Sequence, residues 1–368
     1  MIKSAELAFR RWFNRWFQSD KKPVAISRVH DTFSLSAVPR ILFLRQDRIG
    51  DVLISTPVLD AIRTTYPKAQ IGIVLSSNNI AVRNAAEPYV NIVHVYSRTA
   101  PGLASLIREI RKKKYDVVVD LMDNPSATSG LLCRFSGTRY RLGISKENDG
   151  VYTHVVPMLP RDSVHISRRI AELLKAFGID PEKVSLIPRY PITSYECDGA
   201  KAALGTDVGP GIRLGVVASG SSNNKQYPAE RMAGVLNTLI KSHPSLKVYL
   251  FADPKNYNWV CRVESLTPAK PAPYSATFHD AAVQMSAMDV VLTPDTSFVH
   301  VAGALGLPVC VMYIQPHQDL YPWYPLGARY EALITKTNQI ADIPESEIVA
   351  AIERLFAYCG HSEDNHEL

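Results

Sequence analysis

Three short polar stretches, each following an apolar run, carry the side chains best suited to chemistry: Gln46 to Asp51, Ser219 to Tyr227, and Thr293 to His300. In the first, Gly50 lets the backbone turn tightly and Asp51 stands where a helix begins. A carboxylate there either caps the helix, favoured by its first amides and dipole, or acts as a general base that takes a proton from a hydroxyl. Asp47 reads as solvated and Arg48 as a cation able to meet an anion. Pro57 reads as a kink or as the start of the helix's regular part. In the second stretch, Ser219-Gly220-Ser221-Ser222-Asn223-Asn224-Lys225 gathers hydroxyls, a glycine and one lysine. Such a loop either cradles phosphoryl oxygens or is an ordinary polar turn. In the third, Asp295-Thr296-Ser297 lead into a helix holding Phe298, Val301, Ala302 and Leu305. An oxygen-rich helix start either holds a diphosphate on its exposed amides or simply caps. His300, on the first turn, reads as structural or as the wall of a nucleotide pocket before a catalytic role.

Other chemistries are excluded by spacing. The chain has no P-loop, H-E-x-x-H, G-x-S-x-G or G-x-G-x-x-G, which argues against P-loop nucleotide hydrolysis, zinc proteolysis, α/β-hydrolase and dinucleotide dehydrogenase activities. No D-x-D occurs, so a diphosphate is expected to be neutralised by protein groups and not by a carboxylate-bound metal.

The elements around these loops alternate. Ile41 to Leu44, Ile71 to Leu75, Ile92 to Tyr96 and Val117 to Asp120 are short apolar runs, separated by helical stretches. Buried parallel strands have this pattern. A further helix is expected from about His165 to Phe177, closed by Gly178. After a Pro-, Gly- and Asp-rich stretch the alternation restarts with Leu214 to Val217, Val248 to Phe251, Asp289 to Leu292 and Val309 to Tyr313. The expected organisation is an amino-terminal segment and linker (1–38), a first domain (39–190), a linker (191–211), a second domain (212–350) and a helix end with tail (351–368). The class is α/β, two doubly wound Rossmann-like domains with a cleft between them. Ligands then bind at the carboxyl ends of the strands, where all three polar loops fall.

Composition narrows the setting. The chain has 368 residues, 46% hydrophobic and 21% charged, which suits two folded domains. Five scattered cysteines without a C-x-x-C pair suggest a reducing compartment, and the absence of a signal-like or membrane-spanning apolar run points to the cytoplasm. Arg10, Arg11, Arg15, Lys21 and Lys22 crowd beside Phe9, Trp12, Phe13, Trp16 and Phe17. Residues 1–20 are therefore read either as an amphipathic helix on an anionic membrane or as a helix packed on protein. Elsewhere Lys and Arg are dispersed among acids, so nucleic acid is not an expected partner.

Taken in order, several stretches resemble glycosyltransferase family 9, the ADP-heptose:lipopolysaccharide heptosyltransferases. The match runs from about Pro39 to Ala351. It rests on Ile41-Leu42-Phe43-Leu44 with Ile49-Gly50-Asp51 through Pro57, on Tyr115 to Asp120, on Gly137 to Gly143, on Lys225-Gln226-Tyr227-Pro228, and on Asp289 through Pro308. The chain departs from the family pattern at Ser297, where glycine is usual, and at Met122-Asp123-Asn124, where an amide and glycine are usual. The resemblance implies a GT-B fold and inverting, metal-independent transfer of a sugar, heptose from ADP-heptose, onto a lipopolysaccharide, glycan or lipid-linked acceptor. No cofactor is implied. It makes Asp51 the base and Lys225 the stabiliser of the departing diphosphate. Gly50, Ser219, Ser221, Lys225, Asp295, Thr296, Ser297, Phe298 and His300 become donor contacts, and Arg48, Arg63, Arg139 and Arg141 acceptor contacts. The alternatives are another GT-B transferase or an epimerase with a different nucleotide sugar, and a non-catalytic nucleotide-sugar-binding protein.

Overall fold

The structure, a computed structural model, describes residues 22–204, 211–218, 220, 222–315 and 320–363. The basic aromatic segment up to residue 21, Ser219 and Ser221 lie outside the described residues. The chain divides into two compact units, Met1–Leu186 and Ile187–Leu368. Among the described residues no helix is long and apolar enough to cross a membrane.

The first unit runs β1 (Val24–Ala25), β2 (Arg40–Leu44), α1 (Ile49–Thr65), β3 (Gln70–Ser76), α2 (Arg83–Ala86), β4 (Ile92–Tyr96), α3 (Ala100–Lys113), β5 (Val117–Asp120), α4 (Ala127–Phe135), β6 (Tyr140–Ile144), β7 (His154–Val156) and α5 (Ile166–Ala171). Its strands pair in parallel in the order β1-β7-β6-β5-β2-β3-β4. Ile41 to Leu44 and Val117 to Val119 are fully buried, which is why these runs are continuously apolar and not alternating. The chain moves from β2 outward through β3 and β4, then returns to the other flank of β2 with β5. The carboxyl ends of β2 and β5 are therefore the topological switch point, where an open parallel sheet leaves a crevice.

Helix α1 buries Val52, Leu53, Ile54, Val58, Leu59 and Ile62 and runs through Pro57. Pro57 neither starts the helix nor ends it. It has no N–H for the carbonyl of Leu53, and the Thr56 hydroxyl donates to that oxygen instead, at 2.8 Å. The expected helix from His165 to Phe177 is α5 followed by a 3₁₀ segment, Glu172–Ala176. The stretch before β2 is not a bare linker: β1 adds to the sheet edge, and buried Phe33 packs on Tyr140 and Phe177 at centroid distances of 4.9 and 5.3 Å.

The second unit runs α6 (Ser194–Ala203), β8 (Arg213–Val217), α7 (Ala229–Ser242), β9 (Lys247–Phe251), α8 (Tyr257–Glu264), β10 (Lys270–Pro271), α9 (Phe278–Met285), β11 (Val290–Pro294), α10 (Ser297–Leu305), β12 (Val309–Ile314), β13 (Tyr330–Thr335) and α11 (Glu345–Glu363). Its parallel order, β10-β9-β8-β11-β12-β13, puts a second switch point between β8 and β11. Leu214, Val216, Val290, Leu292 and Met312 are buried together with Val235, Leu236, Leu239, Ile352 and Leu355 of α7 and α11. The stretch read as a linker contains α6, started by a capping box in which Thr193 and Glu196 exchange hydrogen bonds.

One glycine is required by close packing near the crevice. A side chain at Gly143 on β6 would fall 2.5 to 2.8 Å from the ring of Tyr152, whose hydroxyl donates to the carboxylate of Asp120 at 2.6 Å. Gly143→Ala is expected to cost about 1–3 kcal/mol through overpacking, read from the urea midpoint. An unchanged midpoint would show that the ring is free to move aside.

Candidate active site

In the first unit the crevice between β2 and β5 is charged and buried. Asp51 lies in the first turn of α1, but the helix begins at Ile49 with Arg48 as N-cap and no side-chain cap. Asp51 is therefore not the cap. It is 7% exposed and faces Arg45, which is 1% exposed. The Arg45 Nη2 lies 3.4 Å from Asp51 Oδ1, its Nε donates to the Asp51 carbonyl at 2.8 Å, and its Nη1 donates to the Leu121 carbonyl at 2.9 Å. One guanidinium thus ties the loop after β2 to the loop after β5. Asp47 is not simply solvated, for its Oδ2 pairs with Arg45 Nη1 at 3.3 Å and its Oδ1 is buried without a hydrogen-bond partner.

Burial pushes the Asp51 carboxyl up to about 7. Arg45 and Arg48 oppose that shift, while Asp47 and Asp123 reinforce it. Burial likewise raises Asp47, in spite of Arg45. The other two acids of the crevice each have a cation. Asp120 is 3.1 Å from Lys146 Nζ, and Asp123 accepts from Arg169 at 2.8 Å with Arg161 at 3.6 Å. Arg169 also donates to the Val164 carbonyl at 2.7 Å, fixing the turn before α5 against the loop after β5. Asp51 is thus a carboxylate balanced near neutrality among acids held by partners of their own, which suits a proton acceptor.

In the second unit the loops after β8 and β11 meet at the other switch point. Lys225 ends a short 3₁₀ turn, Asn223–Lys225, and its ammonium pairs with the Asp295 carboxylate and lies 3.3 Å from the Asp295 carbonyl. Gly220 packs against Lys225: its N–H donates to the Lys225 carbonyl at 3.1 Å, and a Cβ there would come 2.5 Å from the Lys225 side chain. Helix α10 begins at Ser297 with Thr296 as N-cap, its hydroxyl accepting from the Phe298 N–H at 3.2 Å. The rings of Phe298 and Phe278 stack at 5.2 Å, and buried His300 lies 6.3 Å from the Trp323 ring. A lysine, a capping hydroxyl and the start of a nine-residue helix therefore converge, a combination that accepts an anion.

The remaining expected residues fall elsewhere. Gly50 is the second residue of α1, and exposed Arg48 precedes it beside the crevice. Arg63, in the last turn of α1, donates to the carbonyls of Tyr89, Pro67 and Ala69 and to Asn91 Oδ1. It staples turns at the amino ends of the strands, the wrong end for Asp51. Arg139 lies over the Tyr140 ring at 5.0 Å, and Arg141 donates to the Val151 carbonyl at 2.8 Å. Both sit at the start of β6, again at the far end. Sequence reasoning missed Arg45, Lys146 and Arg169. The available signal for Arg45 was a charge directly after a run of four buried apolar residues.

The profile of Glycosyltransferase family 9 (heptosyltransferase) matches residues 103–350. The chain belongs to that family. It is a glycosyltransferase. Two relatives are named lipopolysaccharide heptosyltransferase 3. That of Escherichia coli strain K12 is 28% identical over 146 residues, 35% of this chain and 40% of that protein. Another from Escherichia coli is 21% identical over 342 residues, 83% of this chain and 96% of that protein. The solved structure of Escherichia coli heptosyltransferase WaaC with ADP shares the fold with a TM-score of 0.67, at 16% identity, covering 86% of this chain and 99% of that one.

The neighbours of Asp51 set testable directions for its titration. Asp47→Asn removes a charge that raises the Asp51 pKa and is expected to move it downward; Arg45→Gln removes one that lowers it and is expected to move it upward. Carbon-detected NMR of the labelled carboxyl reads both, and shifts of the opposite sign would contradict the assigned couplings.

Proposed function

We propose that this glycosyltransferase moves heptose from ADP-heptose onto a lipopolysaccharide or related glycan acceptor, on the cytoplasmic side, with inversion and without a metal. The observation that carries the base-assisted displacement is Asp51, a carboxyl buried beside Arg45 at the switch point of the first unit and pushed by burial up to about 7. The family membership supports the sugar transfer, and the names of the relatives support the heptose and the lipopolysaccharide. The ADP bound in the WaaC structure supports the nucleotide.

In this reading an acceptor hydroxyl attacks the anomeric carbon from the face opposite the diphosphate. The new carbon–oxygen bond forms as the bond to the phosphate oxygen breaks, the hydroxyl proton passes to Asp51, and ADP leaves with the bonding electron pair. A single displacement inverts the centre. Charge gathering on the leaving diphosphate meets Lys225, the Thr296 hydroxyl and the amides that open α10. Lys225 is paired with Asp295 in the structure, so binding exchanges one anionic partner for a second one beside it. Arg48, exposed and close enough to Asp51 to oppose the rise in its pKa, is available to an anionic acceptor group.

Isothermal titration with ADP, UDP and GDP tests the donor. ADP is expected to bind best, and Lys225→Met to weaken it on the order of tenfold to a hundredfold, since Asp295 is then left to repel the phosphates. Mass spectrometry should find heptose added to a lipopolysaccharide acceptor. Tighter binding of UDP or GDP would favour a different nucleotide sugar or an epimerase. ADP binding without transfer would favour a binding protein.

A further inference from the structure

The end of the first unit opposite Asp51 has a different chemistry. In a parallel sheet every helix returns to the same edge, so the turns that precede β3, β5 and β6 gather there. Helix α3 ends in Arg111, Lys112 and Lys113, with Lys114 as its left-handed C-cap, and all four are exposed. Cations at a helix carboxyl end are favoured by the dipole, but the same edge carries exposed Arg40, Lys68 and Arg139 on separate elements, and Arg134 beside Phe135, which is 40% exposed. Three acids nearby are engaged: Asp116 accepts from the Arg40 backbone N–H at 2.8 Å, Glu109 pairs with His94 at 2.7 Å, and Glu87 pairs with Arg83; exposed Asp31 adds a single negative charge beside Tyr66. A cavity of about 370 Å³ opens on this edge, lined by Arg40, Gln70, Ile92, Lys112, Lys113 and Tyr115.

Two further observations point to the occupant. Strand β1 runs parallel to β7 with Val24 opposite His154, the first residue of β7, so the chain enters the sheet from this same basic edge. The residues that precede it, up to 21, hold Arg10, Arg11, Arg15 and Lys21 among Phe9, Trp12, Phe13, Trp16 and Phe17, a composition that partitions into lipid headgroups. The face itself offers cations around a cavity with little exposed aromatic surface, which suits phosphate headgroups better than stacked bases.

We propose that the amino-end face of the first unit, centred on Arg40, Lys112 and Lys113, docks on a bilayer of anionic phospholipid, with headgroup phosphates entering the cavity. A sheet with strands of about five residues then holds the crevice roughly 15–20 Å from the lipid surface. On the proposed function, that standoff suits an acceptor whose glycan rises from the same bilayer. The docking itself requires no particular donor or acceptor.

Co-sedimentation of the full chain with vesicles tests it without reading turnover. The protein is expected to pellet with phosphatidylcholine vesicles containing phosphatidylglycerol, to stay in solution with phosphatidylcholine alone, and to be released by high salt. Lys112→Gln/Lys113→Gln should lower the partition by roughly fivefold per lysine, while the thermal midpoint and ADP affinity stay unchanged. Pelleting of the double variant equal to that of the parent would overturn the proposal and place any membrane contact elsewhere. So would failure of the parent to pellet, or equal binding to a single-stranded oligonucleotide in competition with the vesicles.

Discussion

The burial of Asp51 against Arg45 is the interaction on which the first unit's site depends. A carboxylate taken out of water is costly, and so is a guanidinium. Together, with the guanidinium donating to the Asp51 and Leu121 carbonyls as well, they bridge the two loops of the switch point. Arg45 does not hold Asp51 fully ionised, because burial penalises the charged form and Asp47 shares the same cation. That competition, added to burial, leaves the carboxyl near 7, where it can both take and release a proton at neutral pH. Replacing either partner leaves the other buried with an unbalanced charge, so the pair constrains structure and chemistry together.

The second unit solves the converse problem. On the proposed function its task is to receive negative charge, and its Lys225 is already paired with Asp295. The pairing keeps a lysine side chain ordered next to the start of α10, where backbone amides have no intrahelical partner. A group whose charge increases during the reaction gains more from such a site than one whose charge is constant, and a departing diphosphate is of that kind.

Much of this was legible in the chain. Runs such as Ile41 to Leu44 and Val117 to Val119 announce buried parallel strands, and the three polar loops stand at strand ends because only there can polar side chains escape the core. Shorter elements were not legible. β1 and β10 have two residues each, and α6 sits in a Pro- and Gly-rich stretch, so periodicity had too little to work on. The arginines divided unevenly for a physical reason. β6 was not among the expected apolar runs, so Arg139 and Arg141 had no strand start to belong to, and Arg63 sits in the last turn of α1; all three lie at the amino end of the sheet. Asp47 was misread as solvated because its partner, two residues back, follows an apolar run and reads as its continuation into solvent.

The central claim is that Asp51 takes the acceptor proton. The most direct measurement is kcat/KM against pH for the parent and for Asp51→Asn, with ADP-heptose and a competent acceptor. The account predicts a parental rate that rises with pH through a midpoint near 7, and an Asn variant slower by about a hundredfold or more that has lost this limb and still binds ADP. An Asn variant that keeps both the parental rate and the limb would contradict it.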